Sequence, residues 1–264
     1  MSFIVNINGK PQIYLANADL GTSGRAYNMS FEYDAIDVTA FSDNAHRNLL
    51  GKLTFGFRYD GLFNDAAKSS HFALNDILAP ATGSAMSIWP AGVATGTVTD
   101  GTFAVPVTGV GIATARAMTY RPAGNLGDAV SLGADIFSAL GTYDNIVSFG
   151  TAFSVDGAVT NSLVSSIWSH GTTSTNGAVI YLHVLSASAS GGNAQWLLRM
   201  QDSSSTVAGS FFNLQAGTPG SAGNNSTFST AAVVTGSFRA FRRFVVEMDA
   251  VSGSITVFGA LGSR

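Results

Sequence analysis

Residues 37–65 read DVTAFSDNAHRNLLGKLTFGFRYDGLFND, and this stretch decides the fold class. Asp37–Phe41 has the β-branched and aromatic character of a strand, and the polar run from Ser42 to Asn48 has the character of a turn. From Lys52 to Tyr59 the sequence alternates: Leu53, Phe55 and Phe57 fall on one face, Thr54 and Arg58 on the other. Period-2 alternation marks a strand with one face buried. The stretch is therefore a hairpin that closes on Asp60-Gly61, and none of its residues is arranged for catalysis.

Working outward, residues 26–41 (AYNMSFEYDAIDVTAF) alternate as well, with Tyr27, Met29, Phe31 and Tyr33 opposite Ser30, Glu32 and Asp34. Before them, FIVNI and QIYLA flank Asn8-Gly9, a dipeptide suited to the positive φ angles of a tight hairpin. After them, residues 65–78 (DAAKSSHFALNDIL) predict one helix. Asp65 is its expected N-cap, Ala67, Ser70, His71, Leu74, Ile77 and Leu78 its stripe, and Pro80 and Gly83 its end. Strands are then predicted at 85–89, 97–107, 112–122 and 129–137. Strands, one helix and strands again make an α+β or mostly-β layer, not an alternating βαβ chain.

Beyond about residue 143 charges thin out. Ser, Thr, Gly and Asn dominate two expected loops, SASASGGN (186–193) and QAGTPGSAGNNSTFSTAA (215–232). Around them lie strand candidates IVSFGTAFSV, AVIYLHVLS, AQWLLRMQ, RFVVEM and SITVFGAL. AVIYLHVLS is apolar on both faces, which predicts a central strand. The expected architecture is mostly β: an α+β first domain over 1–142 and a β-sandwich over 143–264.

Composition narrows the function classes. The chain is 264 residues long, 46% hydrophobic and only 11% charged, where about a quarter charged is usual for a soluble domain. A charge-poor surface suits burial against neighbouring subunits, where charges are costly to desolvate. Net charge is −3, and the densest basic run is Arg239, Arg242 and Arg243, so no nucleic-acid-binding patch is indicated. There is no cysteine, which removes disulfides and thiolate metal sites. The N-terminal residues lack the pattern of a secretory signal, and no apolar run approaches the roughly 18 residues that span a bilayer.

The candidate chemistry is thin. His46, His71, His170 and His183 show no metal-ligand spacing, and structural roles are expected for them. Asp34 and Asp37 lack the glycine turn and the further acids of a calcium loop. GVGIATA (109–115) holds part of a dinucleotide fingerprint without the following helix. Trp89, Trp168 and Trp196 are expected to serve packing before sugar stacking. No nucleophile, base and orienting group can be named together, so neither an enzyme nor a cofactor is expected.

The residues from Ile36 to Asp65 resemble the signature hairpin of siphophage-type tail tube proteins. Asp37, Val38 and Thr39 match its first strand, Asp43 and Arg47 its charged loop, and Asp60-Gly61-Leu62 the run into the helix. Leu50-Gly51-Lys52 departs from it, standing where the family often has proline-glycine-leucine. AVIYLHVLS, QWLLRMQDSS and RRFVVEM resemble the extra C-terminal β domain of some phage tail proteins.

The resemblance implies a virion protein, made in the bacterial host cytoplasm, that assembles into rings, usually hexameric. The rings stack into a tube beside other tail proteins, and DNA passes through the lumen without specific binding. It implies assembly contacts at Asp37, Thr39, Phe41, Asp43, Arg47, Arg58 and Asp60, and lumen acids at Glu32, Asp34 and Asp37. The competing readings are a carbohydrate-binding or adhesive module using Trp168, Trp196 or Tyr181, and another virion component such as a decoration, capsid or tail-terminator protein. A hydrolase with a dispersed site ranks below both.

Overall fold

The computed structural model describes residues 12–16, 18–40, 45–64, 69–78, 84–89, 109–125, 129–138, 146–159, 162–164, 167–169, 177–190, 195–214, 220–223, 228–234, 237–249 and 252–263. The first-half elements are β1 (Gln12–Leu15), β2 (Ala18–Asp19), β3 (Gly24–Asp37), β4 (Asn48–Leu62), α1 (Ser70–Asp76), β5 (Ser84–Trp89), β6 (Gly109–Ala123) and β7 (Ser131–Ser138). Those of the second half are β8 (Ile146–Val159), β9 (Ser162–Val164), β10 (Trp168–Ser169), β11 (Ala178–Ser190), β12 (Gln195–Ser203), β13 (Phe212–Asn213), β14 (Gly220–Gly223), β15 (Phe228–Val234), β16 (Phe241–Asp249) and β17 (Ser252–Ser263). The protein is mostly β, with one α-helix among the described residues.

Among these residues the strands form an 11-stranded and a 6-stranded sheet. The larger sheet forks at β6. One edge of β6 pairs with β5, which continues to β1 and β2. The other edge carries two partners end to end: β8 against Gly109–Ile112, and β7 against Ala115–Ala123. The β7 arm continues through β4 to β3, and the β8 arm through β17 and β11 to β15. The expected domain boundary near 142 lies outside the described residues. The strand that follows it, β8, hydrogen-bonds both to β6 of the first half and to β17 of the second.

The second half is a sandwich. Ile180, Leu182 and Val184 of β11 and Ile255 and Val257 of β17 pack against Trp196, Leu198, Met200, Phe244 and Val246 of the smaller sheet. The opposite face of β11 and β17 is also buried: Val179, Tyr181, Phe258 and Ala260 meet Tyr14, Ala85 and Trp89 of the first half. This is why AVIYLHVLS is apolar on both faces. A bulge between Val184 and Ser186 then shifts the alternation, so Ala187 and Ala189 point inward while Ser186, Ser188 and Ser190 stay outside.

The first half has its own core, in which Phe55, Phe57 and Tyr59 of β4 and Leu132, Ala134 and Ile136 of β7 pack with Ala73, Leu74 and Ile77. Its helix is shorter than expected. It begins at Ser70, with Ser69 at the N-cap, and Asp65 and Ala67 lie outside the described residues. Ser69 does not cap a helix N–H; its hydroxyl donates to the carbonyl of Asn64. Leu78, expected in the buried stripe, is exposed, and Ala73 takes an inward position.

Three sequence expectations need correction. Thr39 is not in a strand, because β3 ends at Asp37. Residues 186–190 continue β11 instead of opening a loop. Residues 228–232, the end of the expected loop 215–232, belong to β15, which covers the outer edge of β11. The expected strand at 97–107 and the Asn8-Gly9 turn fall outside the described residues.

Candidate assembly site

The β3–β4 hairpin is much longer than the sheet that supports it. It pairs from Gly24↔Gly61 to Asp37↔Asn48, whereas β7 backs β4 only from Gly56 to Leu62. Among the described residues, then, the distal part of the hairpin, roughly Phe31–Asp37 against Asn48–Phe55, is a two-stranded ribbon standing off the sheet. The outer edge of β3 likewise has no pairing strand among them. Seven residues of strand reach about 23 Å. A two-stranded ribbon is marginal in water on its own.

The ribbon carries an irregularity where the sequence departs from the tail-tube pattern. Gly51 and Lys52 stand opposite the single residue Asp34, so β4 has one extra residue there. Such a bulge bends its strand and increases the local twist. Beyond the bulge Ile36 faces Leu49 across the strands. These two are 53% and 58% exposed, with Val38 exposed beside them. Large apolar side chains paired in the open at the end of a projecting hairpin suit a partner surface.

The tip is braced by hydrogen bonds. The Val38 N–H donates to the Arg47 carbonyl at 2.8 Å. Asp37 Oδ1 accepts from the Thr39 N–H at 2.9 Å and from the Thr39 hydroxyl, whose oxygen in turn accepts from the Arg47 N–H at 2.9 Å. Donation from the Thr39 hydroxyl, and then from its N–H, holds the Asp37 carboxyl below the usual carboxylate range. His46 lies alongside, 3.7 Å from Asp37. Asp37, Thr39 and Arg47 thus come together in one turn. Phe41 and Asp43 lie outside the described residues.

The second feature is a polar face. Tyr27 and Met29 turn toward the core, as the alternation predicts, so Asn28, Ser30 and Glu32 face outward. They join Arg58 of β4 and Asp135 of β7 along an open groove of about 460 Å³. Arg58 reaches Asp60 at 3.5 Å, and Arg121 of β6 pairs with Asp135. The Thr119 hydroxyl, followed by Arg121 and Arg58, keeps the Asp135 carboxyl below its ordinary range.

The face therefore carries paired charge of both signs, not acid alone. Arg121 and Asp135 occupy outward positions of β6 and β7, and no local sequence pattern singles them out. Asp34 stands at the bulge, and its side chain is not among those described. Asp37 lies beyond the bulge, in the turn at the tip, where it accepts from Thr39.

The remaining candidates sit in packing roles. Trp89, Trp196 and Tyr181 are fully buried, which removes Trp196 and Tyr181 as a sugar platform; the Trp168 side chain is not described. His71 hydrogen-bonds the Tyr120 hydroxyl, and His183 is buried against Ser87. His170 lies outside the described residues. GVGIATA lies within the unbroken strand β6, so it has no phosphate-binding turn. The three arginines of the basic run stack singly on aromatic rings: Arg239 on Phe212, Arg242 on Phe238 and Arg243 on Phe211. Arg242 is buried beside Asp202, so the run is not an open basic patch. No group of three or more His, Asp or Glu able to hold a metal occurs among the described residues, and no helix among them is long and apolar enough to cross a membrane.

No protein-family model matches the chain, and no curated protein matches it in sequence. Among solved structures it is similar to a chain of the native gene transfer agent virion, with a TM-score of 0.36 and 18% identity over 49% of this chain and 91% of that one. It is similar to the Dit protein of phage SPP1, described as part of a hub adsorption apparatus, with a TM-score of 0.31 and 10% identity over 96% and 99%. A chain of the anti-feeding prophage baseplate gives 0.35 and 10% over 57% and 98%.

Proposed function

We propose that this protein is a structural, non-catalytic component of a phage tail that assembles with copies of itself through the β3–β4 hairpin. The observation that carries this reading is the ribbon, which leaves its sheet with a β3 edge that has no pairing strand among the described residues and with Ile36, Val38 and Leu49 exposed among them. Backbone groups on a long open edge are templates for pairing with another chain. Pairing of this edge with a neighbouring copy, repeated about an axis, closes a ring. The resemblance of residues 36–65 to tail tube proteins adds to that argument.

In the finer form of the proposal the rings are hexameric and stack into a tube beside other tail proteins of the virion. The face bearing Glu32, Arg58 and Asp135 lines the lumen, with α1 on the other side of the sheet. Internally paired charges leave DNA little to hold. Residues 143–264 form the accessory sandwich on the outside.

Negative-stain electron microscopy and light scattering across a concentration series test both levels. Rings that stack into tubes support the full reading, and rings that remain single support ring assembly without the tube. A monomer at every concentration overturns it. Leu49→Asp is expected to abolish assembly while leaving the monomer folded.

A further inference from the structure

We propose that one end of the sandwich holds a binding site for a singly charged oxyanion, a carboxylate or a phosphodiester group, with Arg242 as its recognition fork and Arg239 beside it. Arg242 is 3% exposed and stands in register with Asp202 across β16 and β12. Phe244 and Val246 follow it at two-residue intervals and lie in the sandwich core, so alternation turns the Arg242 side chain inward as well. Its guanidinium lies over the buried ring of Phe238, 5.1 Å from the centroid. The Nε and Nη2 hydrogens are shielded from water and meet no acceptor among the described residues. These two nitrogens share one edge of the guanidinium plane. Their N–H bonds run nearly parallel, the geometry that takes both oxygens of a carboxylate or a phosphate.

Arg243, the next residue, is supplied where Arg242 is not. On the other face of the strand its Nε donates to Gln201 Oε1 at 2.7 Å. A buried cation whose donors go without acceptors is costly, and the face of one ring returns only part of that cost.

The chain has little acid to offer at this end. The start of β16, the end of β12, β10 and β13 meet here, and all lie within residues 157–246. That stretch contains four arginines, Arg199, Arg239, Arg242 and Arg243, and a single acidic residue, Asp202. Arg199 is paired with Glu247. Asp202 Oδ2 accepts from the Arg239 N–H at 3.0 Å. Its charge acts on Arg242, but neither Nε nor Nη2 bonds to it. The Arg239 guanidinium is at the surface, 4.7 Å from the ring centre of Phe212, which is 58% exposed and faces Asp202 across the strands. Arg239 and Arg242 set against Asp202 leave one positive charge in excess. A carboxylate or phosphodiester balances that excess, whereas a phosphate monoester brings about two negative charges. The site lies in the sandwich and stands whether or not the chain assembles.

The test is NMR of the arginine Nε–H groups of the full chain during titration with acetate, with dimethyl phosphate, and with sodium chloride at matched ionic strength. A saturable shift of the Arg242 Nε–H is expected with acetate, dimethyl phosphate or both, and not with chloride; the responding anion assigns the class. No response at Arg242 overturns the site, as does an unsaturated drift shared with the exposed Arg25 and Arg58 in all three titrations. Arg242→Lys keeps the charge without the fork and is expected to weaken binding at least about tenfold. Unchanged affinity in that variant overturns the fork. Asp202→Asn keeps an acceptor for the Arg239 N–H and removes the competing charge, so it is expected to tighten binding. Weaker binding there, with lost stability, would make Asp202 itself the partner of Arg242 and overturn the proposal. Should either variant not fold, the three titrations of the wild type decide.

Discussion

Strand β11 and the β3–β4 ribbon are both long β segments rich in apolar residues, and they meet opposite fates. In β11 every residue from Ala178 to Val184 is buried, one face in the sandwich and the other against the first half. In the ribbon Ile36 and Leu49 are more than half exposed, and support from β7 stops at Gly56. The same residue types stabilise the monomer in one place and do almost nothing for it in the other. Apolar surface contributes only when something covers it. The cover for β11 is built into the chain, and among the described residues the end of the ribbon has none.

The sharpest test of that contrast uses one residue type in both settings. Ile180→Ala removes a fully buried side chain from the sandwich core and is expected to cost about 2–5 kcal/mol by denaturant unfolding. A cost under about 1 kcal/mol would show that β11 is not packed as described.

An intermediate effect is expected where β4 is still supported. At Gly61 an added Cβ would lie 2.3 Å from the Tyr59 hydroxyl and 2.8 Å from the Ser23 carbonyl oxygen. Tyr59 cannot easily retreat, because it is fully buried with its hydroxyl bonded to the Leu20 carbonyl and to Ser23. Gly61→Ala is expected to cost about 1–3 kcal/mol by thermal or denaturant melting. At Gly56, nearer the point where support ends, the clash is 2.8 Å with the Ser30 hydroxyl, the end of a short side chain that can rotate. Gly56→Ala is expected to cost clearly less, and the reverse order would contradict the packing.

The smallest effect belongs to the ribbon. Ile36→Ala is expected to leave monomer stability within about 0.5 kcal/mol, because the side chain is largely in water. A loss comparable to that of Ile180→Ala would mean that the ribbon is covered by its own chain.

Much of this contrast was legible in the sequence. The two-faced apolarity of 178–185 announced a central strand, and Tyr27 and Met29 against Ser30 and Glu32 announced a one-sided one. What escaped notice was made of small residues. Ser186–Ser190 alternates Ser and Ala, a contrast too weak to register as a hydrophobic period, yet Ala187 and Ala189 are buried and Ser188 bonds Ser254. Residues 228–232 look like linker by composition, and join a strand because the edge of β11 is there to pair with. The polar face was only half visible. Glu32 and Arg58 could be placed by parity, whereas the pairing of Arg121 with Asp135 depends on β6 and β7 being neighbours, which no local pattern states.

The forked strand β6 has a mechanical consequence. Gly109–Ile112 clasps β8, and Ala115–Ala123 clasps β7, on the same side of one continuous backbone. A pull applied to the sandwich and resisted at the hairpin would therefore load β6 lengthwise. Its few rungs to β8 would share the strain and yield well before the much longer ladder between β11 and β17.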